Sequence, residues 1–213
     1  MITPTSEFWK VFKETNGALS CTEAVAIMNI AAQAPEGLAV ELGTHKGKSA
    51  MAASFALNDM TQFYLVEPEF SDSKWFEDVY NSILKSYYNK PKNILLKPFA
   101  DYSTNVISNF NNISYCFVDS GSHQDGLPMQ EVKLLEDKMV QGGIICFHDW
   151  DSQFREVKEA SDYLVSTGKY DYISIQWNEI IEYVNANNLE EGNISWHHNE
   201  LKNPQFVGAV RRK

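Results

Sequence analysis

Three cysteines among 213 residues are too few, and too irregularly spaced, for a disulfide framework or a metal knuckle. Cys116 and Cys146 sit inside apolar runs. They and Cys21 read as small core residues in a reducing compartment. Lys/Arg clusters are also missing, and the formal net charge is −10. Such a chain has no general attraction for nucleic acid phosphates or anionic membranes, so neither is expected as a partner. The plainest role of the acidity is solubility. No apolar run approaches membrane-spanning length. The N-terminal stretch MITPTSEFWKVFKE has no apolar signal region, so the expected location is cytoplasmic. Internal repeats, low-complexity tracts and convincing linkers are absent. The expectation is one domain over 1–213, with N-terminal helices in 1–36 and a core in 37–213.

What the chain does have is 44% hydrophobic and 13% aromatic residues, enough for a sizeable core. Helical spacing is read over 5–15, where Phe8, Trp9 and Phe12 share a side, and over 21–34, where Thr22 can cap. Beyond the stop at Pro35-Glu36-Gly37, short apolar strands alternate with helices five times. The strands are LAVELG, TQFYLVEPE, NILLKPF (broken by Pro98), ISYCFVDSG and GGIICFHDW. The intervening helices are predicted over 48–58, 72–89, 103–110 and 127–140, with another over 154–168. YDYISIQ and QFVGAVRR close the chain as two further strands, joined by an irregular connection over 185–204. Near-continuous apolar strands with helical crossovers predict an α/β fold, a parallel sheet covered on both faces.

Ligands of such sheets bind beyond the carboxyl ends of the strands, where strand order reverses. Acids collect there: Glu41, Glu67, Asp101, Asp119 and the His148-Asp149 pair follow the first five strands in order. Helix caps account for one or two of them, but not for all five. After the first strand comes GTHKGKS. It ends like a phosphate-binding loop, yet that loop requires glycine where Leu42 stands, and the dinucleotide fingerprint G-x-G-x-x-G is absent too. Gly43 and Gly47 would let the backbone come close to a ligand. Carboxylates at strand ends suit a ligand with an amine and ribose hydroxyls better than one with phosphates.

These residues carry a resemblance. VELGTHKGKSA is similar to the first motif of class I S-adenosylmethionine-dependent methyltransferases, and YLVEPE resembles their second. PFADYS stands where that family contacts adenine. YCFVDSGSH and GGIICFHDW resemble the later motifs of a small O-methyltransferase branch with macrocin-type and catechol-type enzymes. The likeness covers roughly residues 20 to 160 and, more loosely, the last two strands. It implies a Rossmann-like, doubly wound, seven-stranded sheet with the last strand antiparallel, under lid-like N-terminal helices. It implies S-adenosylmethionine as cofactor, held by Glu41, Gly43, Thr44, Gly47, Ser49, Glu67, Asp101 and Asp119. The implied partner is a small-molecule acceptor, a hydroxyl on a sugar, polyketide or phenol. A homo-oligomer is compatible with the pattern.

Two routes for removing the acceptor's proton stay open. Metal-dependent members of the branch place an acid after strand four and two adjacent ligands after strand five, which Asp119 and Asp149 match. His148 departs from that pattern, because an imidazole favours a softer ion than Mg²⁺. The metal set implied is Asp119, His148 and Asp149. The other route uses His123 as general base, in the place where macrocin-like enzymes have a histidine; an ordinary imidazole pKa near ~6.5 suits that task. The catalytic set is therefore His123, Asp119 and Asp149. A different class also fits: a non-catalytic S-adenosylmethionine or nucleoside binder, or a hydroxylase-like relative that keeps the cofactor fold. Plainer readings hold elsewhere. His45 is an exposed loop residue, or edges the cofactor's methionine end. The WHH stretch at 196–198 and the acids at 190–192 are surface. Trp150, Trp177 and Trp196 are core, or line an acceptor pocket.

Overall fold

The structure is a computed structural model, and it describes residues 1–86, 94–121, 123–150, 154–189 and 206–213. Helices α1 (Ser6–Glu14) and α2 (Cys21–Ala31) precede the alternating part. There follow β1 (Leu38–Leu42), α3 (Lys48–Ala56), β2 (Gln62–Val66), α4 (Ser73–Ser86), β3 (Leu95–Phe99) and α5 (Ser103–Val106). Next come β4 (Ile113–Val118), α6 (Leu127–Leu135), β5 (Met139–Phe147) and α7 (Arg155–Ser166). The chain ends with β6 (Tyr170–Tyr172), α8 (Trp177–Ala186) and β7 (Gly208–Arg212). The seven strands form one sheet in the order β3-β2-β1-β4-β5-β7-β6. Strands β1 to β5 pair in parallel, and β7 runs antiparallel to both β5 and β6. This is the expected Rossmann-like, doubly wound sheet with its last strand reversed.

Side chains alternate across the sheet with period two. Ala39, Phe63, Leu65, Tyr115, Phe117, Ile144 and Cys146 face a core shared with α1, α2, α3, α4 and α8. Val40, Leu42, Val66, Cys116, Val118, Ile145 and Phe147 face a second core built with α5, α6 and α7. Cys116 and Cys146 are fully buried, one in each core. Pro98 is tolerated inside β3 because β3 is an edge strand, where a missing N–H breaks no interior ladder.

Several boundaries differ from the sequence reading. Helix α6 stops at Leu135, and Met139–Val140 already belong to β5. The apolar run there fits a buried strand as well as a helix, so periodicity alone did not separate them. Strand β6 is three residues long, and 177–186 is a helix that buries Ile180 and Val184. Its Ile-Ile and Tyr-Val pairs carry β propensity that tertiary packing overrides. The irregular connection thus starts after α8, and its stretch 190–204, with the WHH tract and Trp196, lies outside the described residues. The N-terminal helices also differ from a lid. In α2 every residue but Asn29 is buried, because CTEAVAIMNIA is apolar nearly all round. A capping box starts this helix: the Ser20 hydroxyl accepts from the Glu23 N–H, while the Glu23 carboxylate accepts from the Ser20 N–H.

Trp150 is locked onto β7. Its N–H donates to the Phe206 carbonyl at 2.8 Å, and its Nε1 donates to the Ser161 hydroxyl at 2.9 Å. A Cβ at Gly208 would stand 2.3 Å from the indole Cγ. With the ring fixed at both ends, Gly208→Ala is expected to destabilise the fold by about 1–3 kcal/mol, read as a lower urea midpoint at unchanged slope.

Candidate functional site

The ladder bonds continue one residue past the strands. Gly43 N–H donates to Val66 O and Asp119 N–H to Leu42 O, each at 2.9 Å; His148 N–H donates to Val118 O at 3.2 Å. Gly43, Asp119 and His148 thus stand side by side at the carboxyl edge, at the point where strand order reverses between β1 and β4. Beside them opens a cavity of about 430 Å³. Its walls include Thr44 to Ser49, the α1–α2 connection Asn16 to Leu19, the polar side chains of Asp119, His123, His148 and Asp149, and the rings of Phe154 and Phe206.

Four of those side chains interlock. His123 Nε2 lies 3.2 Å from Asp119 Oδ1 and 3.4 Å from Asp149 Oδ2. His148 Nδ1 lies 3.3 Å and 3.4 Å from the same two oxygens. On its far side, His148 Nε2 is 3.6 Å from Glu23 Oε1. Burial would raise the Asp119 carboxyl, but the two imidazoles win and hold it at about 2. Burial alone would lower both imidazoles. The facing carboxylates raise His123 above its usual range and His148 well above it. His123 and Asp149 are also left-handed, at φ 55° and 54°. Non-glycine residues in that region cost free energy and collect at functional sites.

The glycine loop is organised by two acids. Glu67 Oε2 accepts from the His45 N–H at 2.6 Å, and the His45 carbonyl accepts from Trp75 Nε1 at 2.8 Å. Burial and the neighbouring Glu69 carboxylate push Glu67 up to about 7. Glu41 is fully buried and accepts from the Ser49 hydroxyl at 3.2 Å. Its pKa is well above the ordinary value, first through burial and then through the Asp119 charge, with Ser49 and Thr44 pulling the other way. Its second oxygen, Oε2, has no hydrogen-bond partner among the described residues. A buried acceptor of this kind fits a ligand that brings its own donors. His45 itself is exposed at the cavity rim.

Gly43 and Gly47 have left-handed φ of 83° and 79°, yet the atoms that demand glycine belong to the protein. A Cβ on Gly43 would meet Asp119 O at 2.3 Å and Ser120 Cα at 2.7 Å; one on Gly47 would meet Val79 Cγ1 at 2.7 Å. Gly43 makes room for β4 and Gly47 for α4. Asp101 stands apart from the cluster: its carboxylate accepts from the Tyr102 N–H and from Asn105 Nδ2, both at 2.7 Å. Trp150 and Trp177 border a different cavity, of about 300 Å³, with Tyr172 and Val207.

Sequence reasoning missed three buried charged groups. The cap of α2 is Ser20 and not Thr22, because Glu23 three residues on completes a capping box with it; the other Glu23 oxygen, Oε1, lies 3.6 Å from His148 Nε2. Lys48 is buried with its ammonium 4.3 Å above the Phe12 ring, and burial lowers it to about 8 despite Cys21 and Glu23. Glu131 on α6 is fully buried and accepts from the Ser120 hydroxyl; burial raises it to about 7. Nothing local in the sequence marks Glu131, which α6 spacing would equally allow on a surface.

A family model described as a methyltransferase domain matches residues 40–150, from β1 to just past β5. No curated protein matches the sequence. Among solved structures, the O-methyltransferase TomG of Streptomyces achromogenes, in complex with SAM, superposes with a TM-score of 0.61 at 12% identity, over 100% of this chain and 91% of that one. An O-methyltransferase of Bacillus cereus in complex with SAH gives 0.61 at 12%, over 100% and 93%. A protein of Corynebacterium glutamicum gives 0.64 at 13%, over 99% and 91%. At these identities the likeness is one of fold.

The two glycines differ in what blocks a side chain. Gly43→Ala meets backbone and is expected to lose more stability than Gly47→Ala. Val79→Ala should recover stability in the Gly47→Ala background and none in the Gly43→Ala background, as measured by thermal unfolding of the double variants.

Proposed function

The chain belongs to the family of methyltransferase domains, and from that premise we propose that it binds S-adenosylmethionine and transfers the methyl group to a hydroxyl of a small molecule. The observation that carries this reading is the convergence of Asp119, His123, His148 and Asp149 on the cavity that the glycine loop borders. Methyl transfer is an in-line displacement. The acceptor oxygen attacks the methyl carbon, the C–S bond breaks, its electron pair stays on sulfur as S-adenosylhomocysteine, and the hydroxyl proton departs. The protein has to hold the two reactants in line and provide for that proton.

In this reading Glu67 takes the ribose hydroxyls, and Glu41, with its unpartnered oxygen, takes donors from the methionine end. Thr44, Gly47 and Ser49 line that end; Asp101, outside the cavity lining, is assigned to the adenine side by the family resemblance alone. Phe154 and Phe206 give the acceptor an apolar wall, which suits a phenol or polyketide face. His123 stands where it can accept the proton, and Asp149 orients it. The donor set of Asp119, His123 and Asp149, whose ligand atoms lie within 4.8 Å of one another, also fits a divalent ion, which would lower the pKa of a bound hydroxyl. The formal charge of −10 favours a small molecule over a nucleic acid as acceptor.

Calorimetric titration with S-adenosylmethionine and S-adenosylhomocysteine tests the cofactor; no binding of either would sink the proposal. The sign of the pH dependence follows from Glu67. Its carboxyl, at about 7 in the free protein, is the better acceptor for ribose hydroxyls when ionised. Affinity should therefore rise from pH 6 to pH 8. Glu67→Gln should flatten this profile and weaken binding by about 1.5–3 kcal/mol. Asp149→Ala should leave S-adenosylhomocysteine affinity within about threefold while turnover falls by about 10²-fold or more.

A further inference from the structure

We propose that Trp75 on α4 is a positioning residue for the cofactor: its indole N–H holds the peptide between His45 and Lys46 in the orientation that presents the Lys46 N–H to the cavity, as a donor for the carboxylate at the methionine end of S-adenosylmethionine. The assignment rests on the methyl-transfer reading for the identity of that ligand. Thr44 to Gly47 form a four-residue turn, closed by the Gly47 N–H donating to Thr44 O at 2.8 Å. His45, its first central residue, is left-handed at φ 45°. A residue with a side chain costs free energy there and has to be held by its surroundings. Two bonds hold it, one on each of its peptide groups. Glu67 Oε2 accepts from the His45 N–H at 2.6 Å, and Trp75 Nε1 donates to the His45 carbonyl at 2.8 Å.

The second bond selects a direction. The central peptide of a four-residue turn can rotate while the turn's ends stay in place, which is how its paired types differ. Rotation exchanges the positions of the C=O and the N–H, because the two point opposite ways within one trans peptide. Here the carbonyl is turned to Trp75. That residue borders a separate cavity of about 450 Å³ between α1 and α4, and not the cavity of Asp119 and His123. The Lys46 N–H is therefore directed away from Trp75, and Lys46 borders both cavities. Among the described residues this N–H has no acceptor. The indole is itself confined. Lys46 Nζ stands 3.3 Å from its ring centroid, and the His45 ring lies 5.9 Å away. Both side chains belong to the peptide that the indole grips. One turn further along α4, Val79 occupies the space that Gly47 leaves. Helix α4 thus fixes the loop at two points. The methionine end carries a carboxylate, and an N–H bonds a charged acceptor more strongly than a neutral one.

The competing account is that Trp75 only packs α4 against the loop. Two ligands separate the accounts in the full-length protein. One is S-adenosylhomocysteine; the other is methylthioadenosine, which keeps the adenosine and the sulfur but lacks the carboxylate and the ammonium. Trp75→Phe keeps a ring and removes the donor. Calorimetry should show S-adenosylhomocysteine binding weakened about tenfold or more and methylthioadenosine binding changed by less than about twofold. Equal losses for both ligands, or no loss for either, would overturn the assignment and leave methyl transfer standing. Should Trp75→Phe fail to fold, amide hydrogen exchange of the wild-type protein decides. At saturation, S-adenosylhomocysteine should protect the Lys46 N–H about tenfold more than methylthioadenosine does, or better. Equal protection by the two would overturn the assignment. Wild-type protein that binds neither ligand would remove the methyl-transfer reading, and the role of Trp75 with it.

Discussion

The contact between Gly43 and the Asp119–Ser120 backbone is the constraint on which the site depends. Parallel strands β1 and β4 are drawn together by their ladder, and at their carboxyl ends the chains come closer than any Cβ permits. Left-handed φ at Gly43 then turns the chain away over the strand ends. Glu67 fastens the returning loop at the His45 N–H. The same closeness sets Asp119 beside His148, since both continue the ladder beyond their strands. The cavity is therefore a product of sheet geometry, and its polar groups are carried on the stiffest part of the molecule.

Within this space the acids fall into two groups. Asp119 is compensated by two imidazoles and stays ionised against the effect of burial. Among the described residues Glu41 and Glu67 face no such cation, and burial pushes their carboxyls upward. One side of the cavity is thus a charge-balanced cluster with fixed donors and acceptors. The other lies behind the glycine loop, where Glu67 accepts from the His45 N–H and Glu41 from the Ser49 hydroxyl, and Glu41 Oε2 has no partner among the described residues. The two sides share Thr44 to Ser49 as a border. That asymmetry suits a reaction between a cationic donor molecule and a neutral hydroxyl.

The alternation of apolar strands and helices was legible because each strand of a sheet covered on both faces is a short continuous apolar run. The acids near the ends of those runs were legible for the same reason, since Asp119 directly follows ISYCFV, but Glu41 lies inside β1 and is fully buried, which the sequence did not show. What the sequence concealed depends on distance through space. Glu23 is 125 positions from His148 in the chain, as their numbers imply, and it carries an ordinary capping signature. Helix α8 hid behind β-branched residues, and the start of β5 hid behind a helical-looking Leu-Leu-Glu-Asp-Lys-Met. The reason for Gly43 and Gly47 was also concealed. Positive φ was readable from the residue type, but whether a ligand or a neighbouring strand crowds the backbone is a property of the assembled sheet.

The two strand cysteines have a consequence outside catalysis. Cys116 and Cys146 point to opposite faces, so each core contains one strand thiol, and the first core also holds Cys21 of α2. Burial raises Cys116 well above its usual range and Cys146 to about 12. Neither forms the reactive thiolate in the closed fold. Alkylation must wait for water to enter that particular layer, so the two sulfurs are independent clocks for the opening of the two sides of the sheet.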